Sequence, residues 1–391
     1  MKKRAILTIS FLLLNLTNLQ SKRVLTVGGA QKDMFIRCVT ESNSAILGGQ
    51  KVEIKNPTDY TSTGGGAVNS SIAFKRRGFM ASTFFKLGND TRSKLFIKKL
   101  ESEGVSTQNI VYTSEDGTGV SFIIPSPDHD NCVLIYRGSN VYLGIEDIPV
   151  SEIKRSNIVY ITSLNGESMD VLLPIVQTAK EAKAVTAINP GGTQLRKQAP
   201  ILKDILSNID ILLLNEKEAK ILMKSLTTTD EELKRFLLDN KSSPKDLNAP
   251  ILLRTTINDH GSSFTLKQFF KIVLNLGPKI VIVTNGADGV YTATKNKIYY
   301  HPSLPAQVVS TTGAGDAFGA GFVATLLKHN KTIEEAIQNK TIETAINHGI
   351  LNSTSVISYM NTNKGLLNSE ELSVKSKEIG TSLLQRFSLE E

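Results

Sequence analysis

A chain of 391 residues, 40% apolar and 21% charged, is long enough for one large domain or two ordinary ones and excludes wholesale disorder. Its two cysteines, Cys38 and Cys132, exclude a disulfide framework and an unaided tetrahedral zinc site. The net charge of +8 is concentrated at the front, where Lys2, Lys3, Arg4, Lys22 and Arg23 occur without a single acid, so a nearly balanced body offers no stripe for nucleic acid.

In chain order, Lys2-Lys3-Arg4 precedes an apolar stretch from Ala5 to Leu16. This has the shape of a signal peptide but lacks a good small-residue cleavage site, and it is shorter than the roughly 20 residues of a stable membrane span. Residues 1–22 are therefore expected to be a signal-like or dispensable extension, with export and anchoring both open. From Arg23 onward, β-branched runs alternate with helical patterns. Val24 to Gly29 reads as a strand, Ala67 to Arg77 as a helix stopped by Gly78, Ala81 to Gly88 as a strand, and Thr91 to Glu103 as a helix closed by Gly104. Three short strands follow at Ile110–Tyr112, Val120–Pro125 and Val133–Arg137. Apolar runs at Ile158–Ile161, Ala184–Ile188, Ile209–Leu214 and Ile280–Thr284 are of the kind buried in a parallel sheet. The expected fold is α/β: a doubly wound, mostly parallel sheet flanked by helices, spanning 23–360, with a small β-sheet lid from about 33–60 and 110–137. A polar insert at about 225–265 and a tail or helix at 361–391 complete the chain.

The most informative segment runs from Ser310 to Phe322. A strand predicted at Gln307–Val309 enters Thr312-Gly313-Ala314-Gly315-Asp316 and then a helix with Phe318, Phe322 and Leu326 at four-residue steps. Glycines there admit a ligand to the backbone, first-turn amides attract an anion, and an aspartate beside them can accept a proton. The blander reading makes Asp316 only a first-turn acid. A second helix entry, Gly64-Gly65-Gly66-Ala67-Val68-Asn69, presents bare amides and a carboxamide to a small polar ligand, or is merely a tight turn. The five histidines are scattered with no i, i+3 or i+4 pair, which argues against a histidine metal site.

Taken in order, these segments resemble the ribokinase-like, or PfkB, family of carbohydrate and nucleoside kinases. Gly64-Gly65-x-x-x-Asn69 is similar to its N-terminal signature, and Thr312 to Asp316 with Phe318, Gly321 and Phe322 to its C-terminal one. Asn215-Glu216-Lys217-Glu218, Val283 to Gly289, and Val27-Gly28-Gly29 followed by Asp33 match three further family segments. The resemblance implies that Asp316 is the base and that the amides of Gly313, Ala314 and Gly315 form the anion hole. It places Asp33, Gly64, Gly65 and Asn69 on the acceptor's hydroxyls. Asn215, Glu218, Thr284, Gly286 and Asn347 fall on the nucleotide, with Glu218 acting on Mg²⁺ through water. ATP is the implied co-substrate, and lid edges imply a homodimer. Ser310 stands where the family commonly has an aspartate that supports a potassium site, which puts potassium activation in doubt. The implied activity is ATP-dependent phosphorylation of a sugar hydroxymethyl group. A nucleoside acceptor, with Phe35, Phe122 and Tyr136 as a base slot, is the alternative, and a non-catalytic binding relative is a third reading. ATP and Mg²⁺ are cytoplasmic supplies, so a cytoplasmic location is expected.

Overall fold

A computed structural model describes residues 21–38, 54–55, 61–124, 132–239, 246, 248–259, 262–379 and 383–390. Residues 1–20 of the extension, 39–53, 56–60 and 125–131 of the lid regions, and 240–245, 247, 260 and 261 of the insert lie outside the described residues. Nine strands form the main sheet. Their order is Gln385–Ser388, Lys297–His301, Val290–Ala293, Ile280–Thr284, Ile211–Asn215, Val185–Asn189, Ile158–Thr162, Arg23–Val27 and Met80–Phe84. Every neighbouring pair from Met80–Phe84 to Ile280–Thr284 is parallel, and the other three strands are added antiparallel.

Side chains alternate across a strand, so each apolar run feeds two layers at once. Leu25, Val159, Ile161, Leu212, Leu214, Val281 and Val283 belong to one core. Their neighbours Val24, Ile158, Tyr160, Ile211, Leu213, Ile280 and Ile282 belong to the core on the opposite face. Continuous burial on both faces is why these runs carry no polar alternation, and it yields the doubly wound architecture that the sequence implies.

A separate four-stranded sheet, ordered Cys132–Tyr136, Val120–Ile124, Gln31–Phe35, Thr61–Gly64, stands beyond the end of Arg23–Val27. Asn140 fixes the crossing: its side-chain oxygen accepts the Ala30 amide and its nitrogen donates to the Ala30 carbonyl, both at 2.8 Å. The 110–112 strand assigned to this lid lies elsewhere. Val111–Thr113 pairs in parallel with Lys86–Gly88, so the predicted Ala81–Gly88 strand is two strands, Met80–Phe84 and Lys86–Gly88. β-branched and aromatic residues favour extended backbone, while tertiary placement chooses the partner. Gln307–Val309 joins no sheet; the amides of Val309 and Ser310 both donate to the Ile357 carbonyl, at 2.8 and 3.1 Å.

The described residues of the insert pack into the body. Helices Glu216–Thr229 and Glu231–Asp239 and the hairpin Thr256–Asp259 with Ser262–Thr265 send Leu226, Leu237, Ile257 and Phe264 into the first core. The segment beyond 360 is also built into the body. Helix Ser369–Ile379 packs on Thr341–Val356, and Gln385–Ser388 closes the sheet edge.

Arg76, in the last turn of helix Gly66–Arg76, ties this late segment down. Its Nη1 donates to the carbonyls of Asn363 and Leu366 at 2.9 and 2.8 Å, while Nε and Nη2 hold Glu103 at 3.0 and 2.7 Å. Burial pulls the Glu103 carboxyl up, but hydrogen bonds from Arg76 and Lys99 outweigh it and leave the group at about 2. Hydrogen bonds to charged groups contribute about 1.5–3 kcal/mol, so Arg76→Ala is expected to lose about 2 kcal/mol in urea unfolding. A loss below about 0.5 kcal/mol, the size of an ordinary surface change, would show that the clasp is not structural.

Candidate active site

Two helices start with glycine and meet at their N-termini. Gly66–Arg76 follows Gly65, whose φ of 95° only glycine adopts easily; a Cβ there would stand 2.4 Å from the Gly29 carbonyl. Ala314–Leu327 follows Gly313 in the left-handed region at φ 81°. Asn69, on the first helix, donates to the Asp316 carboxylate on the second at 2.9 Å. A Cβ on Gly315 would meet nothing within 4 Å, so the space over this helix start is open. The Ala314 amide turns back to the Thr311 carbonyl at 3.2 Å. The amides of Gly315 and Asp316 belong to the first turn, which has no intrahelical acceptors and carries the positive end of the macrodipole.

Asp33 lies across from this junction, on the lid. It is 4% exposed, accepts a hydrogen bond from the Ser121 hydroxyl, and touches the space above Gly64, where a Cβ would fall 2.1 Å from its carboxylate. Burial raises its carboxyl to about 7, with Ser121 opposing and the nearby Asp316 charge reinforcing. Burial likewise raises Asp316, and the Asn69 amide pulls it back. Two acids thus face one opening. Ser121 sits opposite Asp33 in register, so Phe122, and Tyr136 beyond it, point to the other face of the lid sheet. The three aromatics named as a base slot are not brought together.

On the other side, Asn215 ends strand Ile211–Asn215 and caps helix Glu216–Thr229. It forms a reciprocal box with Glu218, each amide donating to the other's side chain at 2.8 Å. Burial raises the Glu218 carboxyl while Asn215 lowers it. Asn215 pairs with Thr284 at the end of the next strand, so both stand on the carboxyl edge of the sheet. A cavity of about 150 Å³ runs from Thr284, Gly286, Ala314 and Gly315 to an apolar end that includes Leu304 and Ile350. Asn347 is not among its lining residues; it is buried at 4% exposure beside His301 and partly offsets the burial that lowers the His301 pKa. Ser310 is 3% exposed and its hydroxyl accepts the Thr312 amide at 3.3 Å. No group of three or more His, Cys, Asp or Glu able to hold a metal occurs among the described residues. No helix among them is long and apolar enough to cross a membrane.

Thr362 and Asn363 are the neighbours that sequence reasoning missed. The Thr362 hydroxyl and the Asn363 amide both donate to the Asn69 side-chain oxygen, at 3.1 and 3.2 Å, and Thr362 packs over Gly313. They follow Phe322, the last residue of the C-terminal signature, by 40 and 41 positions, and only the polar run Asn361-Thr362-Asn363-Lys364-Gly365 marks them. Leu304 and Ile350 carry no pattern that separates them from core residues.

The profile described as pfkB family carbohydrate kinase matches residues 22–244 and 253–350. The ribokinase of Staphylococcus aureus (strain COL) is 25% identical over 274 residues, covering 70% of this chain and 78% of its own length. The ATP-dependent ribose-1-phosphate kinase of Halopiger xanaduensis is 27% identical over 277 residues, covering 71% of this chain and 77% of its own. The structure of Arabidopsis thaliana ribokinase complexed with ribose and ATP superimposes with a TM-score of 0.64, over 91% of this chain and 98% of that one, at 20% identity.

The raised Asp33 pKa carries a stability consequence. Below the unfolded value near 4 both states are protonated and no penalty arises; as pH rises towards 7 the unfolded carboxyl ionises while the folded one resists, so stability falls, then levels above about 7. Asp33→Asn removes this dependence. Urea melts should show the variant gaining on the parent between pH 4 and 7 by a margin that then stays constant; a pH-independent difference would contradict it.

Proposed function

The chain belongs to the pfkB family of carbohydrate kinases, and we propose that it transfers the terminal phosphoryl group of ATP to a hydroxymethyl group of a free sugar. One contact carries the reading: the Asn69–Asp316 hydrogen bond, which joins the two glycine-led helix starts at a single opening. Asp33, Gly64, Gly65 and Asn69 then hold the sugar hydroxyls, the Asp33 carboxyl accepting from a hydroxyl when ionised and donating to one when protonated. The acceptor oxygen attacks the terminal phosphorus of ATP; a new O–P bond forms, the bond to the bridging oxygen breaks, ADP leaves, and the hydroxyl proton passes to Asp316. The amides of Gly313, Gly315 and Asp316 stabilise charge on the phosphoryl oxygens in transit, and the Ala314 amide, held by Thr311, braces the turn.

Thr284 and Gly286 sit beside the triphosphate, and the Leu304–Ile350 end takes the base. Asn347 supports this wall from behind through His301. One Glu218 oxygen is occupied by the Asn215 amide, leaving the other for a metal-bound water, a fit for Mg²⁺, which keeps most of its hydration. Bound there, the metal would neutralise phosphate charge. The glycine run 64–66 has no cation for an already phosphorylated sugar, and the separated lid aromatics give no base slot for a nucleoside. Strand Cys132–Tyr136 edges the lid with Leu134 and Ile135 55% and 51% exposed, which supports pairing of two lids into a dimer. The cytoplasm, with its ATP and Mg²⁺, is the compartment that suits the reaction.

A coupled ADP-release screen over pentoses, hexoses and nucleosides tests the assignment, with turnover expected on a free sugar. Asp316→Asn should lose at least about a hundredfold in kcat with little change in sugar affinity; unchanged turnover removes Asp316 from the chemistry. Ser310 is a neutral hydroxyl committed to its own loop. Exchanging K⁺ for Na⁺ should therefore alter kcat by less than about tenfold, or about 1.4 kcal/mol. A larger effect would show a working monovalent-cation site.

A further inference from the structure

The Ala314–Leu327 helix has a second end. There, where the parallel strands begin rather than finish, lies a cavity of about 560 Å³ lined by Lys22, Arg23, Lys154, Arg155, Lys183 and Lys331, with no aspartate or glutamate in the lining. Lys22 is committed to the Leu327 carbonyl at 2.6 Å and to that of Asn330, and Arg155 pairs with Glu152. The side chains of Arg23, Lys154, Lys183 and Lys331 have no ion pair or hydrogen bond among the described residues. Burial lowers the Lys22 pKa, the Glu335 charge opposes that, and the Lys331 charge adds to it. Like charges converging on one concave surface repel one another until a counter-ion of matching charge enters.

Lys183 is an independent sign. Its φ is +57°, and its amide donates to Lys180 at 3.0 Å while that of Ala184 reaches Ala179 at 2.9 Å, the pattern that ends a helix with glycine in the left-handed position. A lysine there holds a conformation that glycine adopts without strain, and the residue is part of this cavity's lining. Lys340 shares the conformation but is no part of the lining.

We propose that this cavity is an anion site, separate from the kinase cleft, for a phosphate group bearing two or more negative charges. The phosphate is carried by a soluble ester or by a lipid headgroup. Calorimetric titration of inorganic pyrophosphate into the full chain, with excess ADP filling the nucleotide cleft, tests it beside Lys183→Gly and the double variant Lys154→Glu/Lys331→Glu. The parent is expected to bind, Lys183→Gly to bind about tenfold more weakly while melting at or above the parent's temperature, and the double variant not to bind, all three keeping the parental kcat. Flotation with phosphatidic acid vesicles in phosphatidylcholine separates the sources: capture of the parent and not of the double variant, without pyrophosphate binding, assigns the phosphate to a lipid. Binding of neither probe by the parent, or equal binding by parent and both variants, overturns the proposal.

Discussion

The hydrogen bond from Asn69 to Asp316 spans 247 positions of chain and only 2.9 Å of space. Its direction is enforced. A carboxamide has one acceptor end and one donor end, and the acceptor end of Asn69 is already taken by Thr362 and Asn363. The nitrogen must therefore face Asp316, whose oxygen accepts whether or not a proton sits on its partner atom. Burial raises that carboxyl, and the fixed donor opposes the rise because it favours the charged form.

The electrostatics of the opening follow from this asymmetry. Asp33 and Asp316 repel when both are ionised, and the Asp316 charge adds to the burial that raises the Asp33 carboxyl to about 7. Two acids with different environments can divide two tasks, one gripping a hydroxyl and the other receiving its proton. Beyond them, first-turn amides supply positive potential without a side chain that would fill the space, which is why glycine occupies positions 313 and 315.

The main sheet was legible because its central strands are buried on both faces and announce themselves as unbroken apolar runs. Short strands were less legible. Val111–Thr113 could be recognised as extended but not assigned to Lys86–Gly88, since pairing is decided by packing far from the segment itself. The glycine-led helix starts were readable because backbone approach to a ligand needs glycine at fixed offsets. Thr362 and Asn363 were not: a polar side chain that works by holding another leaves no spacing rule in the chain. Asn347 shows the converse, an asparagine matched by position that the fold turns towards His301.

The clasp formed by Arg76, Thr362 and Asn363 also sets a clock on biosynthesis. The Asn69 oxygen finds its last partner 294 residues downstream, and at about 5–20 residues per second a ribosome needs roughly 15 to 60 s to deliver it. Through that interval a nascent polypeptide carries a bare carboxamide beside three glycines, with the final sheet edge still unmade. Competence thus arrives late and all at once, and a shortened product of interrupted translation would emerge without a finished reaction centre.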